Sequence, residues 1–177
     1  MARAWCTGTG FAAEPPAGVT AFIHSGERNT IPDLQLFCVN AALGSREWFP
    51  GWRAPLPDGF LFRACHLRTE SRGTIRLASP DPLAAPRITM GFLGTDGERR
   101  ALRESIRRVR DICQAPSMRA QVARELAPGP EVQSDEELDA YIRSTVDTIY
   151  HPLGACRMGM DADAVVGTDF RVRGTEG

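Results

Sequence analysis

A chain of 177 residues is long enough for one ordinary hydrophobic core, or for one domain and part of another. Its 42% hydrophobic and 24% charged content is that of a globular protein, and a net charge of -1 offers no broad attraction to nucleic acid or to an anionic membrane. All 21 basic side chains are arginine, which excludes a Schiff-base lysine and a phosphate-loop lysine.

No apolar run reaches the roughly 20 residues of a membrane helix, so no transmembrane segment is expected. Residues 1–6 lack the long apolar stretch of a secretory signal. The five cysteines, Cys6, Cys38, Cys65, Cys113 and Cys156, are odd in number and have no CxxC spacing. That argues against a disulfide framework and against a zinc site, and it points to a reducing, cytoplasmic location.

In chain order, residues 4–18 are rich in glycine and proline and read as loop. Thr7-Gly8-Thr9-Gly10 resembles the start of a nucleotide loop, but no strand precedes it and Pro15-Pro16 stand where its helix should run. Residues 19–23 are predicted as a short strand. Residues 33–41 alternate Leu34, Leu36 and Cys38 against Gln35, Phe37 and Val39, a strand buried largely on both faces. Residues 43–58 form a long loop holding Trp48 and Trp52, which either line a substrate pocket or pack the loop onto the body.

Strands are predicted at 59–67, 73–79 and 87–90. The connections between them are too short for parallel crossovers, so they pair antiparallel. His66, within the third of the five strands, reads as structural or surface, because nothing acidic or nucleophilic clusters with it in sequence.

The second half is helical. Over residues 96–115, Leu102, Ile106, Val109 and Ile112 form one apolar stripe. The many arginines of this helix interleave with Glu98, Glu104 and Asp111, which reads as a salt-bridged solvated face and not as a nucleic-acid surface. A second helix starts at Pro116 and ends near residue 127. A third starts at the capping box Ser134 and Glu137 and carries Leu138, Tyr141, Ile142, Thr145 and Ile149 toward His151. Residues 170–174 alternate as a last strand. The expected class is α+β, an antiparallel sheet of about five or six strands flanked by helices on one face.

The densest chemistry lies in Tyr150-His151-Pro152-Leu153-Gly154-Ala155-Cys156-Arg157-Met158-Gly159. On its residues alone, His151 reads either as a helix-terminal histidine bonded to a carbonyl or as a general base. Cys156 reads as buried packing and not as a nucleophile. A metal set of His151, Cys156, Asp161 and Asp163 matches no familiar ligand spacing, so no metal is expected.

This run, followed by Ala164-Val165-Val166 and Phe170-Arg171-Val172-Arg173-Gly174, closely resembles a signature of the glucose-methanol-choline (GMC) flavin oxidoreductases, in their choline dehydrogenase-like branch. Phe170 replaces the usual leucine and Gly167 the usual aspartate. Residues 71–79 and 81–88 also resemble the strand pair of the family's substrate domain, so specific motifs cover roughly residues 66–177.

The resemblance implies oxidation of a small-molecule alcohol to an aldehyde or ketone, with hydride passing to FAD and His151 taking the hydroxyl proton. It implies a substrate-binding domain over residues 1–150 and a catalytic-histidine segment over residues 151–177 that turns back toward an FAD-binding half. That half, with its glycine-rich loop, is missing from this chain. No cofactor-binding residue is assigned, and the second active-site residue of the family lies past residue 177. The expectation is therefore a fragment, inactive alone. The alternative is a noncatalytic remnant or interaction domain that keeps the substrate-domain fold.

Overall fold

The computed structural model describes residues 6–7, 17–26, 31–41 and 58–176. Trp48 and Trp52, with the glycines Gly8 and Gly10, lie outside the described residues.

Three strands, β1 (Ala17–Ile23), β2 (Leu34–Val39) and β3 (Leu61–His66), form an antiparallel sheet in that order. A second, two-stranded sheet pairs β4 (Thr74–Arg76) with β5 (Arg87–Thr89), also antiparallel. Helices α1 (Asp96–Gln114), α2 (Pro116–Arg119) and α3 (Asp135–Thr145) follow. The class is α+β with antiparallel strands, as the short connections require. The five described strands divide between two sheets instead of joining one. In the connection between the sheets, the backbone N–H groups of residues 70 and 71 donate to the Glu98 carboxylate at 2.8 and 2.7 Å.

The sheet is built on β2. Leu34 and Leu36 are fully buried, and Gln35, Phe37, Cys38 and Val39 are half-buried. Register sets Leu34 opposite His66, Leu36 opposite Ala64 and Cys38 opposite Phe62, all on one face. Helix α1 lies against β3. Glu98, at the start of α1, is close enough to His66 to be affected by that imidazole, so the helix covers this face. The predicted stripe of α1 is only half-buried. The deepest positions are Glu98, Ala101 and Ser105, because small side chains let the helix approach the strand closely.

The helix ends follow from local chemistry. The Thr95 side chain caps α1 by accepting from the Glu98 N–H at 3.2 Å, and Asp96 and Glu98 suit the positive end of the dipole. Pro116 stands just beyond its C-terminus. Helix α3 carries the predicted capping box in full. The Glu137 N–H donates to Ser134 Oγ at 3.2 Å, and the Ser134 N–H donates to Glu137 Oε2 at 3.0 Å.

Three expectations change. Helix α2 stops at Arg119. Downstream, Glu125 and the Gly129 carbonyl are instead drawn to the Arg110 guanidinium at 2.9 Å each. Helix α3 ends at Thr145, short of Ile149, where the Ser144 and Thr145 hydroxyls donate back to the Tyr141 carbonyl at 2.8 and 2.9 Å. Residues 170–174 form no strand; only Val172 makes an isolated bridge, to Val166, because Phe170 has a left-handed backbone with φ 66°.

The arginine face of α1 is paired with carboxylates. Arg103 meets Asp139 at 2.8 Å and Asp135 at 3.2 Å, and Arg107 meets Asp135 at 2.5 Å. These bonds clamp α1 to α3. Among the described residues, no helix is long and apolar enough to cross a membrane. The chain forms two compact units, Met1–Thr145 and Val146–Gly177, which part where α3 ends.

Candidate active site around His151

The approach to His151 is built from two local side-chain bonds, the second of which closes a turn. Asp147 Oδ1 accepts from the Thr148 N–H at 2.7 Å, and Thr148 Oγ1 accepts from the Tyr150 N–H at 3.0 Å. Tyr150 then adopts φ 62°. A left-handed backbone costs a non-glycine residue about 1 to 2 kcal/mol, so it persists where bonds on either side demand it. The chain reverses there and presents His151 outward.

Residues 151–158 are exposed throughout. Among the described residues no group bonds the His151 imidazole, so the carbonyl-bonded alternative has no partner there. Gly154 has φ 85° with nothing within 4 Å of where a Cβ would stand. The position needs glycine for its backbone and leaves open space beside it.

After the exposed run the chain knots on itself. Arg157 binds Asp161 through two bonds of 2.7 and 2.6 Å. The Arg157 carbonyl accepts from the Val165 and Val166 N–H groups at 3.0 and 3.1 Å. The Arg173 guanidinium donates to the carbonyls of Asp161 and Gly159 at 2.5 and 2.8 Å. A Cβ on Gly159 would lie 2.9 Å from Arg157 Nη1, 3.0 Å from Asp161 Oδ2 and 3.2 Å from the Ala164 Cβ. Only glycine lets the ion pair close over the buried Ala164.

This geometry assigns work to the charged groups. The Arg157 hydrogen bond holds the Asp161 carboxyl well below the usual carboxylate range, so Asp161 is no proton acceptor near neutral pH. Among the described residues no histidine, cysteine and carboxylate cluster could hold a metal ion. Asp161 is instead committed to Arg157. Cys156 was expected to be buried and is exposed, because the loop turns its side chain away from the small core around Ala164. A shallow open groove of about 400 Å³ lies beside Met160, Thr168, Asp169 and Arg171 and does not include His151.

In the other unit, His66 neighbours two carboxylates, Asp33 and Glu98, which stand far from it in sequence. Its buried Nδ1 has no hydrogen-bond partner among the described residues. Asp33 accepts from the Ser25 N–H at 2.7 Å and from its hydroxyl at 2.5 Å. Glu98 accepts from the N–H groups of Glu70 and Ser71 and from the Ser71 hydroxyl. Burial raises both carboxyl pKa values. The serine hydroxyl and backbone donors, with His66, outweigh it and hold both below the usual range. Sequence reasoning missed this Glu98 node. Its signal is a glutamate at the head of the apolar stripe, four residues before Leu102.

The family model of the GMC oxidoreductases matches residues 69–177, which include His151 and the knot that follows it. The chain is 38% identical over 170 residues to an oxygen-dependent choline dehydrogenase of Chromohalobacter salexigens, covering 96% of this chain and 30% of that one. It is 35% identical over 170 residues to the oxygen-dependent choline dehydrogenase of Serratia proteamaculans, with the same coverages. Among solved structures it is similar to pyridoxine 4-oxidase from Mesorbium loti, with a TM-score of 0.72 and 25% identity over 89% of this chain and 30% of that chain. The chain thus spans about 30% of the length of these relatives. With a family model matched over more than half of its length, the chain belongs to the GMC oxidoreductase family.

Proposed function

We propose that this chain supplies the substrate side and the proton acceptor of a flavin-dependent oxidation of a small alcohol to an aldehyde or ketone. His151 is the acceptor. The observation that carries this reading is an exposed imidazole, without a bond among the described residues, within the segment matched by the GMC oxidoreductase model. An alcohol gives up hydride from carbon readily only as its hydroxyl proton leaves, and an imidazole is well matched to take that proton near neutral pH. Relatives named for choline and pyridoxine point to a small-molecule alcohol as substrate.

FAD, when bound, supplies the hydride acceptor. The residues present fit a flat ring: His151, Pro152 and Leu153 are exposed, and Gly154 leaves its Cβ side open for close approach. The pyrophosphate-binding glycine loop is not among this chain's motifs, and we assign it to the FAD-binding half that makes up the remaining length of the relatives. In the two-part division suggested by the resemblance, residues 1–150 are the substrate-binding domain and residues 151–177 the catalytic-histidine segment. We place the chain in the cytoplasm, a compartment suited to its five free thiols.

The test uses a chimera in which this chain replaces the matching stretch of the Chromohalobacter salexigens enzyme. Flavin reduction by choline or another small alcohol is followed by rapid mixing. His151→Ala is expected to slow reduction about a hundredfold or more. An unchanged rate removes His151 from the role. The chain alone, mixed with FAD, is expected to retain no flavin; a stoichiometric yellow protein would contradict the division of labour proposed here. A chimera that binds flavin but is reduced by no alcohol favours the noncatalytic interaction domain.

A further inference from the structure

The β4–β5 hairpin sorts its side chains by chemistry. Its register pairs Thr74 with Thr89, Ile75 with Ile88 and Arg76 with Arg87. Alternation sets Ile75 and Ile88 on one face, continued by Leu77 and Met90, and sets Thr74, Arg76, Arg87 and Thr89 on the other. A polar face toward water is ordinary. Here the apolar face is also bare: Ile75 is 63% exposed, Leu77 88%, Ile88 57% and Met90 42%. A two-stranded hairpin is marginal in water unless one face packs against something.

The base of this hairpin is nonetheless held firmly. A Cβ on Gly73 would collide with the Thr89 carbonyl, and one on Gly91 with the Arg72 carbonyl, so the two strands cross closely there. Arg72 Nη1 donates to the carbonyls of Thr69, Glu70 and Ser71 at 3.1, 2.9 and 3.0 Å. Ser71 Oγ binds Glu98 and accepts from the Gly94 N–H at 2.9 Å. A rigid base beneath a bare apolar face is the form of a docking element.

Its occupant follows from two observations. The curated relatives and the solved structure are each far longer than this chain, which covers 30% of them. The apolar face also carries no charge, and the arginines of the two strands, Arg76 and Arg87, lie on the other face by alternation. A hairpin made for an anionic membrane would set basic side chains beside its apolar ones. We propose that the face formed by Ile75, Leu77, Ile88 and Met90 is the seat for an apolar protein surface of the polypeptide that accounts for the remaining length of the relatives. This deepens the reading above, from which it takes the identity of that polypeptide as the FAD-binding half.

The test compares thiol labelling at Leu77→Cys and Arg76→Cys, located by peptide mass spectrometry, in the chain alone and in the chimera. Both positions label rapidly in the chain alone. In the chimera, Leu77→Cys slows at least tenfold and Arg76→Cys keeps its rate. Equal labelling of Leu77→Cys in both proteins overturns the proposal. Slow labelling in the chain alone also overturns it, by a second copy if the rate depends on concentration and by another segment of this chain if it does not. Protection by anionic phospholipid vesicles without protection in the chimera overturns it in favour of a membrane.

A second measurement covers a chimera that fails to fold. The unmatched part of the Chromohalobacter salexigens enzyme is co-expressed with this chain, and co-purification is quantified. Ile88→Asp should lower recovery at least tenfold and Thr89→Asp should not; equal recovery overturns the proposal. Labelling and recovery need neither bound flavin nor turnover. Protection in a chimera that oxidises no alcohol therefore upholds the docking face and fails the flavin reading.

Discussion

Residues 58–145 and residues 146–177 use charge in different ways. In the first stretch a carboxylate is buried: Glu98 is 4% exposed and gathers the loop before β4 onto the start of α1. In the second, charge stays at the surface. Arg157 and Asp161 pair in water, and Arg173 fastens two carbonyls from outside. A buried carboxylate with several donors is a structural member whose loss leaves those donors unsatisfied. Exposed pairs contribute about 0 to 1 kcal/mol, and the backbone around them does most of the holding. The His151 segment thus takes its shape from turns and backbone bonds, and among the described residues its imidazole has no bond. The helical stretch locks its side chains together.

The largest test of this contrast is Glu98→Ala. It strands the N–H groups of Glu70 and Ser71 and the Ser71 hydroxyl, and it should cost about 3 kcal/mol or more. For a chain of this size that lowers the melting temperature by roughly 6 to 12 °C, read by circular dichroism. A loss under 1 kcal/mol would show that water replaces the carboxylate.

Acid should probe the same node. Asp33 and Glu98 have folded pKa values below their unfolded ones, so they bind protons more readily when unfolded. Their stabilisation is complete above the unfolded carboxylate range, about pH 4, and is lost as pH falls through the lower folded values. Thermal melts between about pH 6 and 2 should show this descent, with a shallower acid limb for Glu98→Gln. An unchanged limb would assign acid sensitivity to other carboxylates.

A smaller effect is expected from Gly159→Ala, about 1 kcal/mol, as the new methyl displaces the Arg157–Asp161 pair. Hydrogen exchange should speed at the Val165 and Val166 amides and not at α1. The smallest is His151→Ala, which should change stability by no more than about 0.5 kcal/mol because the imidazole bonds nothing among the described residues. Set against the hundredfold loss expected in flavin reduction, it would separate a functional side chain from the structural ones. A large drop in melting temperature would erase that separation.

Much of this was legible from residues a few positions apart. Thr95 and the Ser134–Glu137 box mark helix starts because each cap bonds an N–H within its own turn. Short connections enforce antiparallel pairing, and the run from Tyr150 to Gly159, with the segments after it, marked the GMC oxidoreductase family. These signals are local, so a linear reading meets both partners of each bond in one window.

Tertiary structure alone decided the rest. Glu98 meets Ser71 across 27 positions, and the seam of Glu98, Ala101 and Ser105 contains no large apolar side chain. Hydrophobic periodicity cannot register a face buried through small residues and a hydrogen-bonded carboxylate. The split of the strands into two sheets is likewise set by pairing between distant residues. The end of α3 at Thr145 goes with the Ser144 and Thr145 hydroxyl bonds, and the turn before His151 with Thr148 and the left-handed Tyr150, whose conformation no propensity favours. The exposure of Cys156 and of the Ile75–Ile88 face belongs here too. Apolar residues in a strand pattern imply burial, but whether anything in the same chain covers them is a matter of the packed whole.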